Sequence, residues 1–500
     1  MLNDLLFQRA QQSPDAVFVH VDDRQITFDD MAQMVCAATV RLRHAGICAG
    51  DKVAMICGNR PGFLSAWFAL TELGAVCVPL NTGLRGDSMR YTLTQSESKA
   101  ILIDEDLVGQ KQADLDTLDQ RLPQYVIDAS YENRPGHRME RDQARVTLQP
   151  SDTNSILYTS GTTGLPKGAM LPHSAYREAG IDMVESLGLA PSDRIMVFLP
   201  LFHANPQMYA VASTLTVGAS MILIRHFSAS RFFDDARRYG AAGFTYVGTV
   251  LSIIEKTYPG EVRDHKIGWC VGGGAPLRVW KEITGRFGIE VRELYGMTET
   301  GGWVTMNTVN TSRLGSVGPE RKSVKVRILD EAGQTLPAGQ KGEIVGLSQT
   351  GDQFFTGYWN NPKATAETLR DGWLHTGDRG WMDGDGYLYF DGRLKELIRR
   401  AGEMISPVEI EQQLLKHEAV ADCAVVGIPD EILGEDIMAY VVARAPVDAS
   451  DLRDFLKDRL GDYMVPRYYG FIEQIPKTET QKIKRHEVVK VACEKIDTKR

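Results

Sequence analysis

The run Tyr158-Thr-Ser-Gly-Thr-Thr-Gly-Leu-Pro-Lys-Gly168 packs four aliphatic hydroxyls, three glycines and one lysine into eleven residues. Glycine lets backbone amides come close to an anion, and hydroxyls and an ammonium add donors. The composition therefore suits a loop wrapped around phosphate oxygens. It is not the common phosphate loop, because Pro166 precedes the lysine and Gly168, rather than Ser or Thr, follows it. Taken alone, such a run serves equally as a flexible surface loop. Further polar clusters follow in order: Tyr295-Gly-Met-Thr-Glu-Thr300, Thr376-Gly-Asp378, Gly392-Arg-Leu-Lys-Glu-Leu-Ile398 and Pro476-Lys-Thr-Glu-Thr-Gln-Lys482. Each has a plainer reading by itself. Tyr295 could be a core aromatic, Asp378 an ordinary turn residue, and Lys477, Lys482, Lys484 and Arg485 a solvated basic strip.

In this order and at these separations, the five motifs resemble the adenylate-forming superfamily: acyl-CoA ligases, peptide-synthetase adenylation domains and beetle luciferase. The resemblance runs from Ile26-Thr-Phe28 to Arg485. It implies an ATP-dependent acyl-CoA ligase that joins a small or medium carboxylic acid to AMP, releases pyrophosphate, and passes the acyl group to the thiol of coenzyme A. The chemical need is plain. A carboxylate is a poor acyl donor until its oxygen carries a better leaving group, and the charge that builds on phosphorus calls for cations and donors.

The resemblance also implies roles. The loop from Thr159 to Gly168, with Gly161 and Gly164, covers the β- and γ-phosphates; Thr159, Ser160, Thr162 and Thr163 donate, and Lys167 is the mobile charge. Glu299 is the Mg²⁺ carboxylate and Thr298 donates to the α-phosphate. Tyr295 stacks on adenine at the head of Gly296-Met297, and the backbone of Gly272, Gly273, Gly274 and Ala275 borders the same base. Asp378 accepts from both ribose hydroxyls, and Arg393 assists at ribose or phosphate. Lys482 bridges substrate carboxylate and α-phosphate; Gln481 stands beside it where the family usually has glycine. Rotation of a small domain about Lys395 then withdraws Lys482 and brings in Arg399 to Glu403. Gly402 would admit the pantetheine arm, and Arg399 and Arg400 would face CoA phosphates.

His203, in Pro200-Leu-Phe-His203, lies at the mouth of the acyl pocket by the same resemblance. Amino-acid-activating relatives place an aspartate in this part of the site, and a neutral imidazole cannot supply that charge. Expected walls are Ala204 to Tyr209, Tyr246, Val247, Gly248, Thr249, Cys270 to Gly274, Met297 and Trp303. The bulk of Tyr246 and Trp303 favours a short or medium acyl chain. Arg225 to Phe233 and Arg400 to Pro407 look like the carnitine/crotonobetaine-CoA ligase branch, where aromatic walls suit a trimethylammonium group. Met404 replaces the asparagine usual after Gly-Glu. Alternative readings are an enzyme that loads a carrier-protein thiol, a relative that has lost the first half-reaction, and, remotely, a luciferase-like oxygenase.

The elements that must position these residues follow from the apolar pattern. Short runs at Val53 to Cys57, Val76 to Leu80 and Ala100 to Ile103 alternate with a helical pattern through Phe63, Trp67, Leu70 and Leu73, which indicates α/β layers with a parallel sheet. Runs at 194–199, 220–224 and 243–247 repeat the theme. After about residue 315, alternating runs separated by glycine and Asp-Gly predict hairpins and a small β-barrel. The last hundred residues read as a compact α+β unit, with a helix from Val408 behind Ser406-Pro407 and another from Asp451. The expected organisation is a large multi-layer N-terminal domain, 1–392, and a smaller mobile α+β C-terminal domain, 393–500. Five hundred residues exceed one core.

A net charge of −9 argues against a nucleic-acid surface. Seven dispersed cysteines without Cys-x-x-Cys spacing argue against zinc and suggest reduced thiols in a cytoplasmic protein. Residues 1–7 are too polar for a signal peptide and instead fit an amphipathic helix through Leu2, Leu5, Leu6 and Ala10. No apolar run reaches the roughly 18 residues needed to cross a membrane. The expected partners are ATP, CoA and a small acid; a homodimer is compatible with the sequence, which does not specify the oligomeric state.

Overall fold

The computed structural model describes residues 1–118, 121–133, 146–159, 166–351, 353–400, 403–430, 433–457, 459–460, 464–478 and 483–490, without the side chains of Lys395, Arg399, Glu403 and Met404. The chain divides into two compact units. One comprises Met1–Ala275, Trp280–Val326 and Gly346–His375; the other comprises Pro276–Val279, Arg327–Val345 and Thr376–Arg500.

In the first unit the continuous apolar runs become parallel strands, because a strand covered on both faces has no need of alternating polarity. Strands Lys52–Ile56, Val76–Pro79 and Ala100–Asp104 are buried along nearly their whole length and pair in parallel. They belong to a seven-stranded sheet of order Gly357–Tyr358, Lys167–Pro172, Thr153–Thr159, Val76–Pro79, Lys52–Ile56, Ala100–Asp104, Gln124–Ile127. The other end of this sheet is different: Thr153–Thr159 and Lys167–Pro172 form an antiparallel pair that sets Thr159 opposite Lys167. An eight-stranded sheet has a parallel interior of Glu290–Tyr295, Trp269–Gly273, Gly243–Val247, Arg194–Val197, Ser220–Leu223 and Val17–Val21. Antiparallel edges, Thr305–Met306 and Arg24–Thr27, close it at either end.

The helices follow local signals with two exceptions. Leu2–Gln12 buries Leu2, Leu6, Phe7 and Ala10. Phe28–His44 begins at Thr27, whose hydroxyl accepts from the Asp30 amide while the Asp30 side chain takes the Thr27 amide, a reciprocal cap. Pro61–Glu72 is buried on every face rather than on one stripe, so it lies inside the unit and its pattern carries no surface side. Ser406 does not cap its helix, Pro407–Leu414, through its hydroxyl, which donates instead to the Asp391 carbonyl at 2.7 Å. The proline supplies the fixed φ of the first turn.

A buried charge cluster holds the end of the seven-stranded sheet. Arg60 donates to Asp104 at 2.7 Å, Glu132 at 2.7 Å and Glu105 at 2.9 Å. Next to it, Asn59 donates to the carbonyls of Leu199 and Ile224 and accepts from the Leu201 amide, so the two sheets are stitched at the start of the 200–203 segment. Arg60→Ala leaves the buried Asp104 without its cation and leaves Glu132 with only the part-exposed Arg24, at 3.1 Å. We expect a loss of about 3–5 kcal/mol, read as an earlier urea transition; an unmoved transition would show that the cluster is hydrated and dispensable.

The second unit contains strand Leu388–Arg393, antiparallel to Trp373–Met382. Its last part is a sheet of order Glu403–Ile405, Ile398–Arg400, Gly434–Ala443, Val420–Asp430, with Tyr468–Phe471 parallel to Gly434–Ala443. Ile398, Ile410, Leu414, Val425, Ile437, Leu452 and Leu456 form its core with helices Pro407–Leu414 and Ala449–Lys457. Among the described residues, no helix is long and apolar enough to cross a membrane.

Candidate active site

Three chemical groups named from the sequence converge in the first unit. Glu299, 3% exposed, sits in the short turn Thr298–Thr300 just beyond strand Glu290–Tyr295. The Thr300 hydroxyl braces that turn by donating to the Met297 carbonyl and accepting from the Met297 amide. Glu299 Oε1 accepts from Thr159 Oγ1 at 3.3 Å, so the ends of the two sheets meet at one carboxylate. Lys167 Nζ lies 5.0 Å from the centre of the Tyr358 ring, and the Tyr358 hydroxyl donates to Glu299 Oε1 at 2.7 Å. A carboxylate, a hydroxyl and an ammonium thus lie in one corner, a set of groups whose chemistry suits a polyphosphate with a divalent cation. Ser160, Gly161, Thr162, Thr163 and Gly164 lie outside the described residues.

Beside this corner, Tyr295 is buried at the end of its strand, 7% exposed, and Gly296 meets the backbone of Trp303 so closely that a Cβ there would stand 2.3 Å from the Trp303 Cα. The turn Gly273-Gly274-Ala275 follows strand Trp269–Gly273. Gly248 lies against it: a Cβ on Gly248 would fall 1.8 Å from the Gly274 carbonyl oxygen, which admits only glycine. Val247 and Gly248 form the start of helix Gly248–Thr257.

Tyr246 and Trp303 are fully buried. The Tyr246 hydroxyl donates to Glu293, and burial pushes its ionisation well up, reinforced by that carboxylate. Trp303 meets Tyr209 edge-on at 5.3 Å and stacks under the Arg321 guanidinium at 4.4 Å, while Tyr209 donates to the Gly302 carbonyl. Arg321 is itself held by Asp182 at 2.6 Å. His203 packs against Phe202 with ring centres 4.6 Å apart, and Asn205 donates to the Tyr246 carbonyl. Residues Pro206–Val211 form a π-helical turn, which no residue pattern announced. Phe232 and Phe233 are core residues: Phe232 packs on Phe198 and Phe244, and Phe233 on Tyr258 and Phe287. Cys270 is buried.

In the second unit, Asp378 and Arg393 are partners across adjacent strands, with Arg393 Nε 3.1 Å from Asp378 Oδ1. Asp378 is 4% exposed, and its amide donates to the Thr376 hydroxyl, which in turn donates to the Ile344 carbonyl. The Thr-Gly-Asp turn therefore presents a carboxylate already matched with a guanidinium. Arg400, by contrast, is engaged with the fully buried Asp436 at 2.8 Å. Gly402, Gln481 and Lys482 lie outside the described residues, as do the side chains of Lys395 and Arg399.

The profile of the AMP-binding enzyme family matches residues 6–359, and that of the AMP-binding enzyme C-terminal domain matches residues 409–482. The chain belongs to the AMP-binding enzyme family. It is 32% identical to sulfoacetate–CoA ligase of Cupriavidus necator, with 96% of each chain covered, and 30% identical to 2-succinylbenzoate–CoA ligase of Bacillus cereus, with 97% of each covered. Among solved structures, o-succinylbenzoate CoA synthetase of Bacillus subtilis in complex with its acyl-adenylate superposes with a TM-score of 0.87 at 28% identity, covering 97% of each chain. ATP-bound MatB of Rhodopseudomonas palustris superposes with a TM-score of 0.88 at 26% identity, covering 98% of this chain and 99% of that one. The architecture expected from the sequence, a large α/β N-terminal part and a smaller C-terminal part, is that of this family.

Several residues of this AMP-binding enzyme were not singled out from its sequence. Tyr358 reaches Glu299 from a two-residue edge strand too short to show periodicity. Glu293 lies two residues before Tyr295 in a strand, where a lone acid reads as solvent-facing, yet it is 5% exposed. Tyr176 bonds Ser155 at 2.5 Å and donates to Gln207, and Gln207 donates to the Leu201 carbonyl. That buried chain connects strand Thr153–Thr159 to the His203 segment. Its members lie far apart in sequence, so no local signal could have found them.

Proposed function

We infer that this AMP-binding enzyme is an ATP-dependent acyl-CoA ligase, an acid–thiol ligase that forms an acyl-adenylate with release of pyrophosphate and then transfers the acyl group to coenzyme A with release of AMP. The observation that carries the reading is the buried Glu299 carboxylate, bonded by Thr159 and by Tyr358, over whose ring the Lys167 ammonium lies, in a chain of this family.

The residues present fit Mg²⁺. A hard cation takes oxygen ligands and accepts one or two carboxylates when phosphates and water supply the rest. Glu299 would hold it, and its chemistry there is to neutralise phosphate charge. Lys167 and Thr159 orient the β- and γ-phosphates, with Ser160 to Gly164 completing the loop. Thr298 donates to the α-phosphate, Tyr295 stacks on adenine against Gly273 to Ala275, and Asp378 takes the ribose hydroxyls with Arg393 beside it. Lys482 brings the acid's carboxylate and the α-phosphate together, two anions that otherwise repel. Rotation at Lys395 then exchanges Lys482 for the Arg399–Gly402 segment, which guides the thiol.

The acyl chain is small. His203 stands at the entrance, and the Tyr209–Trp303–Arg321 stack, buried and bonded on three sides, supports a closed floor. A long chain would have to displace a fully buried tryptophan. An amino-acid substrate is disfavoured as well, since the carboxylate beside Tyr246, Glu293, is already engaged by two amides and a hydroxyl. The named relatives act on acids as different as sulfoacetate and 2-succinylbenzoate, so the carnitine-like branch rests on two segments of sequence. A cytoplasmic location belongs to the same reading.

The test is a panel of acids with ATP, Mg²⁺ and CoA: short aliphatic, dicarboxylic, sulfonated, aromatic and quaternary-ammonium carboxylates. Acyl-CoA is read by mass and AMP by chromatography. We expect equal amounts of acyl-CoA and AMP from a subset of small acids and none from long-chain fatty acids. ADP in place of AMP, or no thioester from any acid, would reject the proposal.

A further inference from the structure

Glu293 is a carboxylate with an unusual set of obligations. It lies in the middle of a sheet interior, and its oxygens face backbone amides rather than a cation. Oε1 accepts from the Gly274 amide at 2.5 Å and the Ala275 amide at 3.1 Å, and Oε2 accepts from the Tyr246 hydroxyl. Behind it, the Asn307 amide and side chain both donate to the Glu293 carbonyl, at 2.9 and 3.2 Å, which fixes the strand from which the carboxylate projects. Three donors converge on one acceptor, and all three belong to segments the ligase reading uses.

We propose that Glu293 is a positioning residue whose carboxylate holds the Gly274–Ala275 turn in its adenine-bordering form and ties that turn to the acyl-pocket wall at Tyr246. The proposal rests on the reading above, in which residues 273–275 border the base. The physical reason is the acceptor itself. Two consecutive amides pointing inward from a glycine turn require an anion or a carbonyl, since a turn rich in glycine has many other conformations available and no side chains to choose among them. Only an acceptor with two oxygens can also take the tyrosine hydroxyl. Replacing Oε2 by an amide nitrogen removes the acceptor of the Tyr246 hydroxyl and sets an N–H against the Ala275 amide, 3.2 Å from that position.

The environment gives the idea a pH signature. Burial pushes Glu293 up from an ordinary 4.5 to about 7, and its hydrogen bonds with Tyr246, Ala275 and Gly274 oppose that rise. The titratable groups facing it are Tyr246 from the neighbouring-but-one strand and Cys270 from the adjacent strand, with Tyr209 next to Tyr246. Burial pushes all three upward, so they stay neutral between pH 6 and 8. Across that range the carboxyl alone of this group changes charge, and its ionised form, present above pH 7, is the better acceptor for three donors. The sign for stability is the reverse. Because the folded pKa is raised, this group's stabilisation is complete below about 4.5 and is lost as pH rises through about 7.

The test uses AMP binding to the whole protein by calorimetry at pH 6, 7 and 8. The wild-type affinity should rise with pH through a midpoint near 7 once the phosphate titration of AMP, common to every variant, is subtracted. Glu293→Gln should bind AMP about tenfold more weakly at pH 8, on the order of one good hydrogen bond, and show no such midpoint. Tyr246→Phe keeps the ring and both amide bonds but removes one donor to the ionised form. Its affinity at pH 8 should stay within about twofold, while its midpoint moves to higher pH. If Glu293→Gln does not fold, the Tyr246→Phe midpoint still decides the matter, and an unmoved midpoint overturns the proposal. A wild-type profile identical to that of Glu293→Gln also overturns it, without touching the ligase reading. Failure of the wild-type protein to bind AMP at any pH would instead remove the reading beneath it.

Discussion

Lys482→Ala is expected to lower acyl-adenylate formation by at least about 10²-fold, the scale seen when one donor to a charge-developing transition state is removed. Thioester formation from supplied acyl-AMP should be nearly unchanged. The split follows from the two half-reactions. The first must press a carboxylate against a phosphate, and without a cation between them the repulsion is uncompensated. The second has already lost the pyrophosphate and uses an acyl group activated in advance. Lys482 lies between two residues that are each held in place. Before it, Lys477 pairs with Asp422 at 2.5 Å and bridges in antiparallel fashion to Ile483. After it, Arg485 is clamped by Glu411 at 2.6 Å and Glu396 at 2.9 Å and donates to the Val425 carbonyl. Lys477 and Arg485, on either side of Gln481 and Lys482, are therefore anchored in the second unit. Pyrophosphate exchange measures the first half-reaction and acyl-CoA formation from synthetic acyl-AMP the second. Equal loss in both would defeat the role given to Lys482.

Lys395→Pro should produce the opposite split: acyl-adenylate accumulates and thioester formation falls by about 10²-fold or more, because a conformational step rather than chemistry becomes limiting. Lys395 lies in the tight turn Leu394–Glu396 that follows strand Leu388–Arg393. Proline locks φ near −65° and removes the amide hydrogen, so any rotation that needs a different φ at this residue is blocked. The measurement is a single-turnover experiment in which acyl-AMP and acyl-CoA are followed together. Wild-type thioester formation in this variant would place the moving joint elsewhere.

Much of the fold was legible in the residues. The apolar runs at 53–57, 76–80 and 100–103 announced strands of a parallel sheet, and the spacing of Leu2, Leu5, Leu6 and Ala10 announced the first helix, of which Leu2, Leu6 and Ala10 are buried. The reasons are local: a strand buried in a parallel sheet and a helix laid on one face each leave their own period in the chain. The motif residues proposed to hold phosphate, base and ribose were legible for a related reason. A ligand with many oxygens is gripped by consecutive amides and hydroxyls, so its binding segments are contiguous, and contiguity is what a reader of sequence can see.

What the residues by themselves determined, then, is the layered α/β scheme; they also mark the segments proposed to grip a nucleotide. Tertiary structure alone decided which buried groups hold those grips in shape. Glu293 reads as one more acid in a strand, Arg60 as a surface cation and Tyr358 as an aromatic in a loop. Only the folded chain puts the first against Gly274 and Tyr246, the second among Asp104, Glu105 and Glu132, and the third against Glu299. The cause is the cost of burying a polar atom. Each must find a partner, and the partner that satisfies it is set by which strands and turns come to lie side by side, a matter of long-range packing that no spacing along the chain encodes.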